Sequence, residues 1–305
     1  MYVCKGCNKE FVDMPKDDEC PTCGLVVFKK ESVDVDIAPK DPVVAGENGI
    51  GIIMMDFSGS MDDRAFPSER EYKKSKASVV ASALKTSIPK IKRMNKADKA
   101  YVALIGFTED AKLLGIFKAS EVSDSIEYWD KWFEDNMSDV RHSYGEGTNI
   151  TSALKLGRQI YDGALKGDLS AFGIYDFKPM YQDIVIGSNV YSVANVRVFI
   201  YSDGGHNSDR TAFTNYFEGA SLIPGRTNVT GLTSAFLGAS ETDGYETMEA
   251  IAGVCPNHEV KAVIHVDKSK YYDYLRELFH MTSSTSGFCV ECAKRGKSLN
   301  LDKKE

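Results

Sequence analysis

Three oxygen-bearing side chains follow one another closely at the end of an apolar stretch. Asp56, Ser58 and Ser60 stand at positions i, i+2 and i+4 directly after residues 50–55, a run that predicts a buried strand. One carboxylate and two hydroxyls from a single turn are hard oxygen donors, which Mg²⁺, Mn²⁺ and Ca²⁺ prefer. The run therefore predicts one part of a divalent cation site.

Two later segments supply oxygens that fit the same site. Thr148 lies in a glycine-flanked loop ahead of a helical pattern, and Asp203 follows the apolar strand predicted at 196–202. In an open parallel sheet, ligands bind beyond the carboxyl ends of the strands. Asp56 and Asp203 are therefore expected at one edge of the sheet, with Thr148 reaching that edge from its loop.

Ordinary structural roles are the alternative for these residues. Ser58 and Ser60 would then cap the next helix, and Asp203 would belong to a simple turn. However, the sequence Ser68-Glu69-Arg70-Glu71 has the Ser-x-x-Glu pattern of a capping box and predicts a separate start for that helix. This leaves the two earlier serines available for a metal.

The set resembles the metal-ion-dependent adhesion site (MIDAS) of von Willebrand factor A (VWA) domains. In that family an Asp-x-Ser-x-Ser run is followed by a Thr in a Gly-rich loop and by an Asp at the end of a central strand. The matching positions are Asp56, Ser58, Ser60, Thr148 and Asp203, and the resemblance covers residues 44–281. It implies that the hydroxyls contact the metal and that the two Asp act largely through water. It also implies protein binding without catalysis, with an Asp or Glu carboxylate of a partner protein on the metal.

Two other functions compete with this interpretation. One is a metal-dependent phosphohydrolase with Asp56 or Ser58 as nucleophile. A serine nucleophile needs an adjacent base, however, and the nearest histidine along this strand end is His206. The other is a structural subunit of a larger assembly that docks through its zinc module.

Four cysteines near the start predict that zinc module. Cys4, Cys7, Cys20 and Cys23 form two Cys-x-x-Cys turns, which suit one tetrahedral Zn²⁺. About 30 residues bury too little surface to fold alone, so the metal would stabilise this part. Two disulfides are the alternative, which the lack of a recognisable secretion signal disfavours.

A second zinc site is a further hypothesis. Cys255 and His258 precede the last predicted strand, and Cys289 and Cys292 follow the last predicted helix, so parallel topology would bring both pairs to the amino-terminal edge of the sheet. His280 competes as the fourth ligand. The alternative is a buried Cys255, a surface His258 and a redox-active or idle pair of cysteines in the tail.

Alternating strand and helix patterns predict an α/β fold with a doubly wound, mostly parallel central sheet flanked by helices. We expect a zinc ribbon at 1–30, a connector at 31–48, a VWA domain at 49–283 and a tail at 284–305. Within the domain, the sequence predicts a helix at 69–87 that stops at Pro89 and a helix at 120–136 with Trp129 and Trp132 packed in the core. Residues 166–194 are either an insertion at the metal edge or a long connection at the opposite edge.

Composition excludes several classes of function. A formal net charge of −7 argues against nucleic acid as a ligand, because phosphate binding needs clustered Lys and Arg. No apolar run approaches the ~20 residues of a membrane helix, and no signal-peptide core is recognisable. We therefore expect a cytoplasmic protein that does not contact a membrane. The oligomeric state stays open.

Overall fold

A computed structural model describes residues 2–4, 10–11, 27–29, 46–93, 97–186, 189–205, 227–228, 232–237, 243–252, 254–255, 260–261 and 263–266. The chain divides into two units, Met1–Val43 and Val44–Glu305.

The first unit contains a small antiparallel sheet. Its strands β1 (Tyr2–Cys4), β2 (Glu10–Phe11) and β3 (Val27–Lys29) lie in the order β2-β1-β3. Cys4 ends β1 and pairs with Val27. Cys7, Cys20 and Cys23 lie outside the described residues, so the predicted zinc ribbon stays a prediction.

A six-stranded sheet forms the centre of the second unit. The strands of this unit are β4 (Gly49–Asp56), β5 (Ala100–Phe107), β6 (Ala111–Lys118), β7 (Tyr181–Ile186), β8 (Asn189–Ala194), β9 (Val196–Ser202), β10 (Thr227–Asn228), β11 (Leu232–Leu237), β12 (Val254–Cys255), β13 (Val260–Lys261) and β14 (Val263–Val266). The central sheet has the order β14-β11-β9-β4-β5-β6. All its neighbouring strands run parallel except β5 and β6.

Helices cover both faces of this sheet. They are α1 (Lys76–Ile91), α2 (Ile126–Tyr144), α3 (Ile150–Lys166) and α4 (Asp243–Ile251). Side chains of β4 alternate between the two layers: Ile53 and Met55 pack with α1 and α2, whereas Ile52 and Met54 pack with α3 and α4. A strand buried on both faces is typical of a parallel sheet between helices, and the predicted α/β fold is confirmed. Among the described residues, no helix has the length and apolar character to cross a membrane.

Two details of the predicted α1 are wrong. Residues 69–75 are not helical. The Arg64 guanidinium donates hydrogen bonds to the carbonyls of Glu69 (2.8 Å) and Tyr72 (2.9 Å), which holds this segment in a non-helical conformation. The N-cap is Ser75, whose side chain accepts a bond from the Ser78 amide (3.2 Å). Pro89 lies inside the helix, where the buried Ile88 and Ile91 hold the last turn against the core.

The helix with both tryptophans begins and ends later than predicted, at Ile126 and Tyr144. Trp129 is fully buried and makes an edge contact with Phe117, with ring centroids 5.6 Å apart. Trp132 is partly buried against the same cluster. The prediction that this pair packs in the core is confirmed.

The segment 166–194 connects at the amino-terminal edge of the sheet. The Lys178 amide donates to Asn48 Oδ1 (2.8 Å), and the Met180 amide donates to the Asn48 carbonyl (2.9 Å), directly before β4. After the β7–β8 hairpin, the Asn195 carbonyl accepts from the Ile50 amide (2.9 Å). Of the two alternatives, the structure therefore favours the long connection over an insertion at the metal edge.

The position of the α1 cap gives a first prediction. Ser75→Ala should lower the free energy of unfolding by about 1 kcal/mol, because it removes the acceptor for the Ser78 amide. Ser68→Ala, at the cap predicted from sequence, should change it by less than about 0.5 kcal/mol, because Ser68 is exposed. Urea unfolding of both variants checks this. A larger loss from Ser68→Ala than from Ser75→Ala would contradict the observed helix start.

Candidate metal centre

Asp56 ends β4 inside the protein and not on its surface. The residue is 1% exposed. Its Oδ1 accepts a hydrogen bond from the Ser58 amide (2.8 Å), and its Oδ2 accepts one from the Ser202 hydroxyl (2.5 Å). Ser202 ends β9, the parallel neighbour of β4. The carboxylate therefore fixes both the following turn and the end of the adjacent strand.

The two serines of the turn present their hydroxyls together. Ser58 Oγ and Ser60 Oγ lie 3.2 Å apart, and a 3-10 turn at Gly59–Asp62 follows. Between the functional residues, Phe57 points into the core and makes an edge contact with Phe133 at 5.2 Å. The Phe57 ring, packed in the core between Asp56 and Ser58, orients the turn.

Arg141, in the last turn of α2, clamps this turn from outside. Its guanidinium donates to the carbonyls of Phe57 (2.6 Å) and Ser58 (3.0 Å) and forms a bidentate pair with Asp62 (2.8 and 3.0 Å). A planar guanidinium is suited to such multiple bonds. Arg141 was not identified from the sequence.

Thr148 lies one residue before the N-cap of α3. The cap is Asn149, whose Oδ1 accepts from the Ser152 amide (3.2 Å) and whose own amide donates to the Thr108 carbonyl (2.7 Å). The loop also joins the serine turn, since the Gly59 amide donates to the Glu146 carbonyl (2.9 Å). Thr148 is 6% exposed. The loop that contains Thr148 is therefore attached to the serine turn.

Asp203 follows β9 and stands on a tight turn. Its Oδ1 accepts from the Gly205 amide (3.3 Å). Gly204 adopts a φ of +72°, and a Cβ there would lie 2.0 Å from the Gly244 carbonyl oxygen. Only glycine fits this turn, which directs the Asp203 side chain back toward β4.

The surroundings of Gly205 show that the separate segments converge. A Cβ placed on this exposed glycine would lie 3.4 Å from Asp203 Oδ1 and 3.9 Å from both Ser60 Oγ and Thr148 Oγ1. The Ser58 hydroxyl is linked to this group by its contact with the Ser60 hydroxyl. Asp56 is linked to it by the hydrogen bond that its Oδ1 accepts from the Ser58 amide. Two carboxylates and three hydroxyls, all hard oxygen donors, suit a divalent cation of the Mg²⁺ type.

The electrostatics of the site favour a positive charge. Burial, and then the negative charge of Asp203, raise the pKa of the Asp56 carboxyl from 3.8 to about 7, although bonds from Ser202 and Ser58 work in the opposite direction. One positively charged side chain already lies at the site, since Lys76 Nζ is 2.7 Å from Asp203 Oδ2. Lys76 was also missed in the sequence, because the start of α1 was placed seven residues too early.

Other acidic residues near this edge have separate roles. Asp62 pairs with Arg141, Asp63 has a side chain 75% exposed, and Glu109 Oε1 accepts from the Gly147 amide (3.3 Å). In the described part of the chain, no three His, Cys, Asp or Glu side chains form a metal-binding group. Asp110 Oδ1 accepts a hydrogen bond from the amide of the next residue, Ala111 (2.8 Å).

The cysteine and histidine predictions fall mostly outside the described residues. Cys255 lies in β12, which pairs with β13 in antiparallel register, Cys255 opposite Val260. His258, His280, Cys289 and Cys292 lie outside the described ranges, as does His206. The second zinc site therefore stays a prediction.

Comparison with solved structures gives several distant likenesses. Protein BatB from Bacteroides thetaiotaomicron matches 81% of this chain and 100% of its own, with 13% identity and a TM-score of 0.42. The SpRpn10 VWA domain matches 76% of this chain and 95% of its own (9% identity, TM-score 0.39). Proximal thread matrix protein 1 from the mussel byssus, solved with a zinc-occupied MIDAS motif, matches 78% of this chain and 47% of its own (13% identity, TM-score 0.39).

These likenesses are too distant to assign the site. No protein-family model matches the chain, and no curated protein matches it either. The site is therefore defined by the positions of its own oxygens.

The raised pKa of Asp56 gives a second prediction. Between about pH 4 and pH 7 the folded protein keeps a proton on Asp56 that the unfolded chain has released, since the unfolded value is near 3.8. Without divalent cations, stability should therefore fall as pH rises through this window, by roughly 1 to 4 kcal/mol relative to Asp56→Asn. Urea unfolding of both proteins at pH 5 and pH 8 measures the difference.

Added Mg²⁺ should offset this loss at pH 8 and do little at pH 5, because a metal-bound carboxylate must be ionised. Equal pH dependence in wild type and Asp56→Asn would contradict the assignment of the shifted group.

Proposed function

We propose that this chain binds a divalent cation, most simply Mg²⁺, and through it captures a carboxylate of a partner protein. The ligand set is Asp56, Ser58, Ser60, Thr148 and Asp203. The observation that carries the proposal is the convergence of Asp203 Oδ1, Ser60 Oγ and Thr148 Oγ1 around the Cβ position of Gly205. These oxygens come from segments far apart in the chain, and a shared ligand explains why the fold brings them together.

The charges of the set support binding of an anion through the cation. The two carboxylates formally balance the charge of a divalent ion. The other three proposed ligands are neutral hydroxyls. When bound, the cation supplies an electrophilic centre for an additional oxygen ligand. An Asp or Glu side chain on another protein has the matching charge and hardness. The VWA-like order of the motif supports the same role.

The position of Asp56 supports binding over nucleophilic catalysis. The residue is buried, and both of its carboxylate oxygens already accept hydrogen bonds, from Ser58 and Ser202. A nucleophile must reach its substrate with an unhindered lone pair. Asp56 is better placed to hold the turn and to balance the charge of a cation.

We also propose that the first unit holds Zn²⁺ through Cys4, Cys7, Cys20 and Cys23. The Cys-x-x-Cys spacing supports this, as does the small antiparallel sheet in which Cys4 ends β1. Such a short sheet buries little surface, and a metal would provide the missing stability. The set Cys255, His258, Cys289 and Cys292 is kept as a hypothetical second site.

Thr148 offers a matched pair of variants for the cation site. Thr148→Val removes the hydroxyl but keeps the volume and should weaken Mn²⁺ binding about tenfold or more, whereas Thr148→Ser keeps the hydroxyl and should stay within about threefold of wild type. Isothermal titration with MnCl₂ measures both. Equal affinities in the two variants would contradict the ligand role of Thr148.

The same pair tests the partner-binding role. Proteins that wild type captures from a lysate with Mg²⁺ should be retained by Thr148→Ser and lost by Thr148→Val. Capture that persists in Thr148→Val but disappears in Cys4→Ser would instead assign the interface to the zinc module.

Zinc content gives a separate prediction. Purified wild type should contain at least one zinc per chain, and Cys20→Ser should contain one fewer, because a tetrahedral site needs all four ligands. Inductively coupled plasma mass spectrometry checks this, with Ser68→Ala as the control. Loss of a second zinc in Cys289→Ser would support the second site. A chain without zinc would contradict the ribbon.

A further inference from the structure

Lys76 brings a positive charge into direct contact with the proposed metal site. It is the first residue of α1, and its side chain is only 12% exposed. The ammonium lies 2.7 Å from Asp203 Oδ2, donates to the Ser60 carbonyl (3.2 Å) and lies 3.9 Å from Asp63 Oδ2. Two of the five proposed metal-site residues therefore touch the same lysine.

This placement is unfavourable unless the lysine has a specific partner. A cation at the amino end of a helix faces the positive end of the helix dipole, and partial burial of an ammonium adds a desolvation cost. Asp203, whose side chain is 8% exposed, provides the compensating charge. The contact joins residues 127 positions apart and links the start of α1 to the end of β9.

The two oxygens of Asp203 face different neighbours. Oδ2 is bound by Lys76, whereas Oδ1 accepts from the Gly205 amide and lies beside the space shared with Ser60 Oγ and Thr148 Oγ1. Lys76 thus binds the oxygen of Asp203 other than the one that lies near the two hydroxyls. The lysine and a cation among the hydroxyls can be present at the same time.

We propose that Lys76 is a specificity-determining residue that makes the cation-loaded site select an anionic ligand. Among the groups that are at most 12% exposed, two carboxylates, one ammonium and one divalent cation leave one positive charge in excess. Asp63 does not cancel it, because that carboxylate is 75% exposed and is screened by solvent. A carboxylate ligand removes that excess, whereas a neutral ligand leaves it in a partly buried site. The inference depends on the proposed cation site and adds a role for a residue outside the ligand set.

The test compares three lysine variants, with Mn²⁺ and acetate as probes. Lys76→Met removes the charge, Lys76→Arg keeps it, and Lys85→Met is the control, since Lys85 lies on the same helix but pairs with Asp130 (2.7 Å). Electron paramagnetic resonance gives the Mn²⁺ affinity with and without acetate at constant ionic strength. The ratio of the two affinities reports the coupling between cation and carboxylate.

Lys76→Met should bind Mn²⁺ about tenfold more tightly, because a repulsive charge is gone. At a fixed acetate concentration, its ratio of Mn²⁺ affinities should fall by roughly tenfold, because acetate binds the cation-loaded site less tightly once the ammonium is absent. Lys76→Arg and Lys85→Met should both resemble wild type. Circular dichroism before each titration checks that every variant is folded.

Other outcomes overturn the proposal in distinguishable ways. Stronger binding of both Mn²⁺ and acetate in Lys76→Met, or Mn²⁺ binding only in this variant, would make the lysine a competitor of the cation. Weaker Mn²⁺ binding by Lys76→Met would mean that the lysine only holds Asp203 in position. An unchanged coupling between Mn²⁺ and acetate in this variant would mean that the lysine has no role in selectivity. Absence of Mn²⁺ binding in all proteins would instead reject the cation site itself, and with it this inference.

Discussion

Two carboxylates at the ends of adjacent parallel strands impose the main physical constraint on this protein. β4 and β9 pair in register up to Met55 and Tyr201, so Asp56 and Asp203 end at the same edge. Asp56 is buried, and a buried negative charge near a second one is costly. The Ser202 hydroxyl, the Ser58 amide and the Lys76 ammonium each reduce this cost. A divalent cation would complete the compensation.

The rest of the fold positions the residues that meet this constraint. β4 is buried on both faces, which fixes where Asp56 lies. The amino ends of α1 and α3 and the carboxyl end of α2 reach the same edge, and they bring Lys76, Thr148 and Arg141 respectively. Arg141 ties α2 to the serine turn through two backbone carbonyls. The site is therefore held by several separate segments, each anchored in a packed layer.

The sequence predicted the parts of the site that depend on local pattern. Apolar runs identified β4 and β9, and the spacing of Asp56, Ser58 and Ser60 identified the turn. Residues whose role depends on distant contacts were missed: Lys76 meets Asp203 across 127 positions, and Arg141 meets Phe57 across 84.

The capping-box pattern at residues 68–71 also predicted the wrong start for α1. A local pattern contains no information on the hydrogen bonds that Arg64 makes to this segment. The antiparallel direction of β6 was not predicted, although the short connection between β5 and β6 indicates it. Three residues between β5 and β6 are too few for a crossover to a parallel strand and suffice for a hairpin.

A crystal structure grown with MnCl₂ tests the central claim most directly, because anomalous scattering locates the cation without assumptions about function. The account predicts one Mn²⁺ peak bound by the hydroxyls of Ser58, Ser60 and Thr148, with Lys76 still paired to Asp203. A fully occupied peak elsewhere, with these three hydroxyls bonded only to water or to protein, would contradict it.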